Sequence, residues 1–348
     1  MQQSNPYLSV VVAARNDNYG GDFELRLQNC LTWFAFYADK YKLPVEFLIV
    51  NYNPVEGRAQ LADTLKFPKS AFVRFRLVTV PVEFHEKISD GSIRKKVPLY
   101  EYVAKNIGIR RAKGKFILSA NPDILIDPAI IRFIADKKLK SDSYYRANRC
   151  DYKNDLRLVN PATDLAKVRS KVFRIFMKGF MWPLQMGFFW PIQLWWLERK
   201  NRKKLDYEFW LLDNEKFANE KLIPVTYDNM SFKFHSNCSG DFMLMAKEAW
   251  FNLHGHPQNT YLSMHTDAIA VAMAFYSGLK EQVFFPPVYH QDHERRFVAD
   301  NSQPDIFAMF RQFEDDSRKM EKDGRPIIYN DENWGFANEP FEEIEITQ

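Results

Sequence analysis

The stretch Phe116-Ile117-Leu118-Ser119-Ala120-Asn121-Pro122-Asp123, continued by Ile124-Leu125-Ile126-Asp127-Pro128, decides how the chain is read. An apolar run of this length is too short for an ordinary helix and reads as a buried strand. It empties into an amide, a proline and a carboxylate. In an open α/β sheet, ligands bind outside the carboxyl ends of the strands. Asn121 and Asp123 are two apart, so extended backbone would point both to one side. A carboxylate and an amide oxygen so placed suit a hard divalent cation shared with a diphosphate. The plainer reading of the same residues is a strand-to-helix turn, with Asp127 capping a helix that opens at Pro128.

Outward from this stretch, short apolar runs alternate with helical patterns. Residues 7–14, 45–50, 73–80 and 115–120 read as strands, and 23–41, 98–112 and 128–140 as helices. This βαβ rhythm predicts an α/β fold, a mostly parallel central sheet flanked by helices. Residues 141–240 break the rhythm. Residues 241–253 and 266–277 read as helices, and 283–289 as a strand-like run interrupted by Pro286 and Pro287. Residues 300–348 hold 13 acidic against 5 basic residues and read as a late, irregular C-terminal extension over the core. The expected units are 1–140, an α/β half; 141–235, a variable region with an aromatic, basic insertion; 236–300, a second half; and 301–348, an acidic wrap.

Composition narrows the function classes. The 348 residues allow two domains or one large one, at roughly 150 residues per domain. Lys plus Arg number 48 against 44 Asp plus Glu, and that formal charge of +4 does not mark a nucleic-acid binder. An apolar fraction of 46% excludes a largely disordered chain. Cys30, Cys150 and Cys238 are far apart with no CxxC, which argues against a disulfide scaffold or thiolate zinc cluster and for a reducing, cytoplasmic setting. Residues 1–6 carry no basic region and the next apolar run stops at Arg15, so no signal peptide is expected. No uninterrupted apolar run reaches the length of a membrane span, about 20 residues.

Three further features carry chemistry. His290 and His293, in His290-Gln291-Asp292-His293, could reach one metal if the local turn is helical; a surface loop is the plainer reading. Asp267 stands at the start of a small-residue apolar helix, where it could be a catalytic carboxylate or simply complement the helix N-terminus. Residues 167–204 combine ten basic residues and one acidic with an uncharged, aromatic centre broken by Pro183 and Pro191. That mixture suits a broken helical hairpin lying on an anionic membrane surface, peripheral on its inner face. Packing as a helical lid or an oligomer surface is the alternative.

Taken in order, these pieces resemble the nucleotide-sugar-dependent glycosyltransferases of the GT-A fold, particularly the inverting family 2 group and its galactosyltransferase-like relatives. The opening strand and polar turn of the family look like Ser9-Val10-Val11-Val12-Ala13-Ala14-Arg15-Asn16-Asp17. Its second strand end looks like Ile49-Val50-Asn51-Tyr52-Asn53, and its Ala-Arg-Asn-x-Gly helix like Ala104-Lys105-Asn106-Ile107-Gly108. Ala112-Lys113-Gly114-Lys115 follows, and then the Asp-x-Asp metal motif, which stands here as Asn121-Pro122-Asp123. The acceptor-side strand and its following helix look like Ser239-Gly240-Asp241-Phe242-Met243-Leu244-Met245. The acidic pair falls at Thr266-Asp267, and the downstream histidine at His290 or His293. The resemblance spans residues 7–135 and 236–295.

What the resemblance implies is transfer of a sugar from a nucleotide-diphosphate sugar, a UDP-sugar above all, to a hydroxyl of a glycan or lipid-linked acceptor. Asp267 would be the general base. Asp123 with His290 or His293 would hold Mn²⁺ or Mg²⁺. Ala14, Arg15, Asn16, Asp17, Asn51, Asn53, Arg58, Lys95, Asn106, Asn121, Gly240 and Asp241 would line the nucleotide-sugar site. The competing classes are a sugar nucleotidyltransferase, for which the turn after the first strand is poor in glycine, and a catalytically silent binding protein, which the amide at 121 favours.

Overall fold

The structure is a computed structural model and describes residues 6–89, 97–155, 157–177, 180–183, 211–213, 234–258, 265–294 and 306–346. Strands β1 (Leu8–Ala14), β2 (Val45–Tyr52), β3 (Val73–Val80) and β4 (Phe116–Ala120) form its first half. β1, β2 and β4 are buried along their whole length, as expected of near-continuous apolar runs covered on both faces. Helices α1 (Phe23–Tyr41) and α4 (Glu101–Arg111) are the long covers, with short α2 (Leu61–Thr64) and α3 (Val82–Ile88) between them. Asp127 caps α5 (Pro128–Ala135), its Oδ1 accepting from Ala129 N at 2.9 Å, so the plainer reading of that residue holds.

The remaining strands are β5 (Ile124–Ile126), β6 (Ser143–Tyr152), β7 (Val172–Met177), β8 (Phe180–Pro183), β9 (Leu211–Asp213), β10 (Phe242–Ala246), β11 (Lys280–Gln291) and β12 (Glu342–Glu345). The main path of the sheet runs β12-β3-β2-β1-β4-β10-β6-β11-β5. Only β3-β2-β1-β4 and the β6-β11 pair are parallel; β12, β10 and β5 enter antiparallel. The sheet is therefore mixed, where the βαβ rhythm predicts mostly parallel. The rhythm is a property of neighbours in sequence, and it stops at α5.

Two segments differ from their sequence reading. Residues 242–246 are a strand between β4 and β6, and only α7 (Lys247–Asn252) is helical. A short apolar run is locally ambiguous, and here the vacant flank of β4 decides. The start of the basic aromatic segment is also not helical throughout. After α6 (Pro161–Ser170), β7 pairs with β6 and β8 pairs with β7. Residues 184–204 of that segment lie outside the described residues. No described helix is long and apolar enough to cross a membrane. All three cysteines are free.

The C-terminal wrap is more regular than its composition suggests. Helix α8 (Thr266–Tyr276) packs against α9 (Ile306–Asp323). The chain then buries Trp334 against α4, where Arg111 donates to the carbonyls of Gly335, Phe336 and Glu339. It ends as β12 on the edge of β3, tied by Glu343 to Arg76, which also pairs with buried Glu46. The wrap thus covers a sheet edge that would otherwise stay open and fixes α4 from behind.

β1 has β2 on one side and β4 on the other, so the strand order reverses there. The loops leaving β1 and β4 open at such a switch point, where crevices form in α/β sheets.

Candidate functional site

The candidate metal centre is built by strand pairing. β5 follows Asp123 directly and pairs with the far end of β11, setting His290 opposite Ile124. Gln291 N donates to the Asp123 carbonyl at 3.1 Å. Two residues far apart in sequence thus meet through a sheet register, and no helical turn is involved. His293, in the loop after β11, comes closer still.

Asp123 Oδ2 lies 3.3 Å from His293 Nε2, 3.8 Å from His290 Nε2 and 3.7 Å from Arg26 Nε. Burial works against the charge of Asp123, but His290, His293 and Arg26 outweigh it and hold its carboxyl well below the usual carboxylate range. The surroundings are locked. Gln291 accepts from Asn29 and donates to the Arg26 carbonyl, both in α1. Arg26 holds the carbonyls of Tyr19 and Gly21. Gly20, at φ +69°, lies so close to His293 that a Cβ would sit 2.4 Å from its Nδ1.

The ligand atoms of Asp123, His290 and His293 lie within 4.8 Å of one another. Asp123 Oδ1 is buried with no hydrogen-bond partner, which is costly unless something else satisfies it. That orphaned oxygen beside two imidazoles fits a divalent cation. A second group, Asp151, His290 and Asp292, has ligand atoms equally close together. There, however, Asp151 is already paired with Arg149 and Arg174.

A buried polar network runs from this centre to Asp267. His290 Nδ1 lies 2.9 Å from Arg149 Nη2 and 3.3 Å from Asp151 Oδ1. Arg149 donates to Asp241 Oδ2 at 2.8 Å, and Asn121 Nδ2 donates to Asp241 Oδ1 at 2.7 Å. Lys105 Nζ, fully buried on α4, donates to Asn121 Oδ1 at 2.6 Å, Glu101 Oε1 at 2.7 Å and the Gly240 carbonyl at 2.8 Å. Gly240 N in turn donates to Asp267 Oδ2 at 2.7 Å. Arg146, also fully buried, braces this loop through the carbonyls of His235, Asn237 and Ser239.

Asn121 and Asp123 therefore do not act as a side-by-side pair. They sit in a turn, and each serves a different cluster. An amide at 121 can accept from an ammonium and donate to a carboxylate at once. A carboxylate there would face Asp241.

The remaining predicted residues gather at the ends of β1 and β2. Ala14 closes β1 opposite Asn51. Arg15 donates to the Asn53 carbonyl and pairs with Asp17 at 2.7 Å. Asn16 is buried and clamps the next loop, accepting from Val55 N at 2.7 Å and donating to the Ala59 carbonyl at 3.1 Å. Arg58 reaches the Asn16 carbonyl. Asn53 donates to the Pro98 carbonyl, and Asn51 Oδ1 is buried without a partner. Asn106 is fully buried, with its amide committed to both the N–H and the C=O of His256. Lys95 lies outside the described residues.

Sequence reading missed Lys105, Arg26, Arg149 and Glu101 as parts of this machinery. Lys105 had a signal, since it stands at the basic position of the quoted helix motif. Arg26, Arg149 and Glu101 had none, because nothing local separates a buried arginine or a helix-start glutamate from a solvated one. No protein-family model matches the chain, and no curated protein is similar to it.

The titratable groups predict acid sensitivity. His256 is buried with its Nε2 3.0 Å from Ser119 Oγ; burial, and then the charge of Lys105, hold its pKa well below the ordinary value. Folding thus favours neutral imidazole, so this stabilisation is present above the unfolded pKa of about 6.5 and is lost as pH falls below it. Asp123 is likewise depressed, so its contribution is lost as pH falls below about 4. The urea midpoint should decline from about pH 6.5 downward. His256→Gln should flatten the first part of that decline. A constant wild-type midpoint between pH 7 and 5 would contradict the assignment.

Proposed function

We propose that the chain is an inverting glycosyltransferase that moves a sugar from a nucleotide-diphosphate sugar to an acceptor hydroxyl. The observation that carries this reading is the single network joining Asp123, His290 and His293 to Asp267 at the carboxyl ends of β1 and β4. A charge-neutralising centre for a leaving diphosphate and an isolated carboxylate base are the two parts such a transfer needs.

In this reading Arg15, Asp17, Asn51 and Arg58 face the nucleoside end of the donor, a UDP-sugar in the first instance. The unpartnered Asn51 Oδ1 is an acceptor for a base or ribose donor. Asp123, His290 and His293 would hold a divalent cation, whose charge would offset that of the departing diphosphate. One carboxylate and two imidazoles suit Mn²⁺ better than Mg²⁺, which prefers oxygen ligands. Asp267, oriented by Gly240 N, takes the proton of the acceptor hydroxyl as that oxygen attacks the anomeric carbon opposite the diphosphate. Lys105 and Asn121 hold the loop that carries Gly240.

The acceptor is a glycan or a lipid-linked sugar. The basic, aromatic segment 167–204 would bring the protein to an anionic membrane holding it, and flotation with anionic vesicles at low salt tests that part. The silent-relative reading rests on one observation, the full engagement of Asn121 by Lys105 and Asp241.

Incubation with a panel of nucleotide sugars and Mn²⁺, with released nucleotide read by mass spectrometry, tests the proposal. Release with one donor is the expected result. By calorimetry, UDP should bind at least tenfold more tightly with Mn²⁺ than after chelation, about 1.4 kcal/mol, and Asp123→Ala should remove that difference. Equal affinity and equal activity after exhaustive chelation would exclude the metal role.

A further inference from the structure

We infer that Asp151 is a positioning residue of the cation centre: its carboxylate takes the Nδ1 proton of His290 and so leaves Nε2 of that ring open to the cation, in competition with Arg149. The inference rests on the cation part of the reading above and is independent of the sugar transfer.

The two imidazoles of the centre are held differently on their far sides. His293 Nδ1 lies 2.9 Å from the Glu294 carbonyl oxygen. A carbonyl oxygen only accepts, so Nδ1 carries the proton, and Nε2, 3.3 Å from Asp123 Oδ2, is bare in the neutral ring. Gly20 makes that arrangement possible, since a Cβ there would lie 2.8 Å from the same carbonyl oxygen as well as against Nδ1. His293 is therefore preset to offer Nε2.

His290 is not. Its Nδ1 lies 2.9 Å from Arg149 Nη2. A guanidinium only donates, so Nδ1 accepts and the ring proton sits on Nε2, the atom that faces Asp123 Oδ2 at 3.8 Å. That separation is too long for a hydrogen bond, so Asp123 does not hold the proton there. For Nε2 to serve a cation the proton must move to Nδ1, and Nδ1–H then needs an acceptor. Asp151 Oδ1 lies 3.3 Å from Nδ1, and the register of β11 on β6 sets the two residues opposite each other. Asp151 is fully buried and fixed by Arg149 Nε at 2.5 Å and Arg174 Nε at 2.7 Å. The proton only changes nitrogen, so the ring stays neutral and none is gained or lost. Arg149 keeps Asp241 Oδ2 through Nη1 at 2.8 Å, so the network toward Gly240 stays tied. Histidine ligands of metals commonly donate their other ring N–H to a carboxylate or a backbone carbonyl, and losing that partner costs about 10–100-fold in affinity. Asp151 and the Glu294 carbonyl are those two partners here.

The test uses the full chain with its seven histidines labelled with ¹⁵N, the two ring signals being assigned by their loss in His290→Gln and His293→Gln. Without a cation, NMR should show His290 in the Nε2–H form and His293 in the Nδ1–H form. Zn²⁺, a diamagnetic probe, should convert His290 to Nδ1–H and leave the tautomer of His293 unchanged. Mn²⁺ binding, read from the EPR signal of the free ion, should weaken about tenfold or more in Asp151→Asn, which keeps the size of the side chain but accepts less strongly. The double variant Arg149→Met with Asp241→Leu removes the competing donor without leaving a lone charge. It should show His290 as Nδ1–H before any cation is added, and it carries the test should Asp151→Asn not fold. His290 remaining Nε2–H with Zn²⁺ bound or in the double variant, or equal Mn²⁺ affinity of Asp151→Asn and wild type, would overturn the role of Asp151 and leave the cation centre standing. Binding of neither ion by wild type would overturn both this inference and the cation part of the proposed function. The tautomer change on Zn²⁺ binding without nucleotide release from any donor would support this inference and count against the transferase reading alone.

Discussion

Asp267→Asn should lower transfer by about 10²–10⁴-fold, the usual worth of a positioned general base, while donor affinity stays within about twofold. Asp267 is the second residue of α8, and its Oδ2 already accepts from Gly240 N at 2.7 Å. Asparagine keeps an oxygen to accept that N–H, so the loop retains its orienting bond. What the amide cannot do is take a proton from an attacking hydroxyl near neutral pH. The expected signature is therefore a fall in kcat with little change in nucleotide binding and an unchanged melting temperature. Turnover near the wild-type rate would exclude Asp267 as the base.

Arg149→Ala should cost about 3–5 kcal/mol of stability, the scale for removing one partner of a buried ion pair. Arg149 is 7% exposed, and its guanidinium holds Asp241 at 2.8 Å, Asp151 at 2.5 Å and His290 Nδ1 at 2.9 Å. Its removal strands the Asp241 carboxylate in a buried place with, among the described residues, the Asn121 amide left to it. Asp151 fares better, since Arg174 remains beside it. The double variant Arg149→Met with Asp241→Leu should recover much of the loss, because neither charge is then left alone. Urea unfolding of the three proteins gives the comparison. A loss below about 1 kcal/mol for Arg149→Ala would mean that water reaches Asp241 and that the network is not closed as described.

Much of the fold was legible because its first half is built from sequence neighbours. Strands β1, β2 and β4 are buried along their whole length and read as near-continuous apolar stretches, while 73–80 reads as an alternating strand. The helix over 266–277 was equally plain from its length. The strand at 242–246 was not, since Phe-Met-Leu-Met-Ala carries no period that separates a central strand from a buried helix. β6, with Arg146, Asn148, Arg149 and Asp151 inside it, was invisible for the opposite reason. Its polar residues look solvated until Asp241, His290 and the loop carbonyls of 235–239 are placed around them. The site shows the same division. Asp123 and Asp267 were found as carboxylates at the start or end of apolar elements, and the histidines as a local cluster. Asn121 looked like a weakened metal ligand, and in the fold its amide bridges Lys105 and Asp241.

From the residues alone came the α/β class, the four parallel strands of the first half and the positions of Asp123, His290, His293 and Asp267. Each of these depends on local pattern, which burial and backbone hydrogen bonding translate directly into strand, helix or turn. Tertiary structure alone decided the mixed sheet, the edge strand from the acidic tail, the meeting of His290 with Asp123, and the partners of Lys105 and Arg149. The reason is that strand register and buried charge pairing join residues that can lie far apart in sequence, as His290 and Asp123 or Lys105 and Gly240 do. No local preference encodes which distant strand will lie alongside, or which buried cation will find which carboxylate.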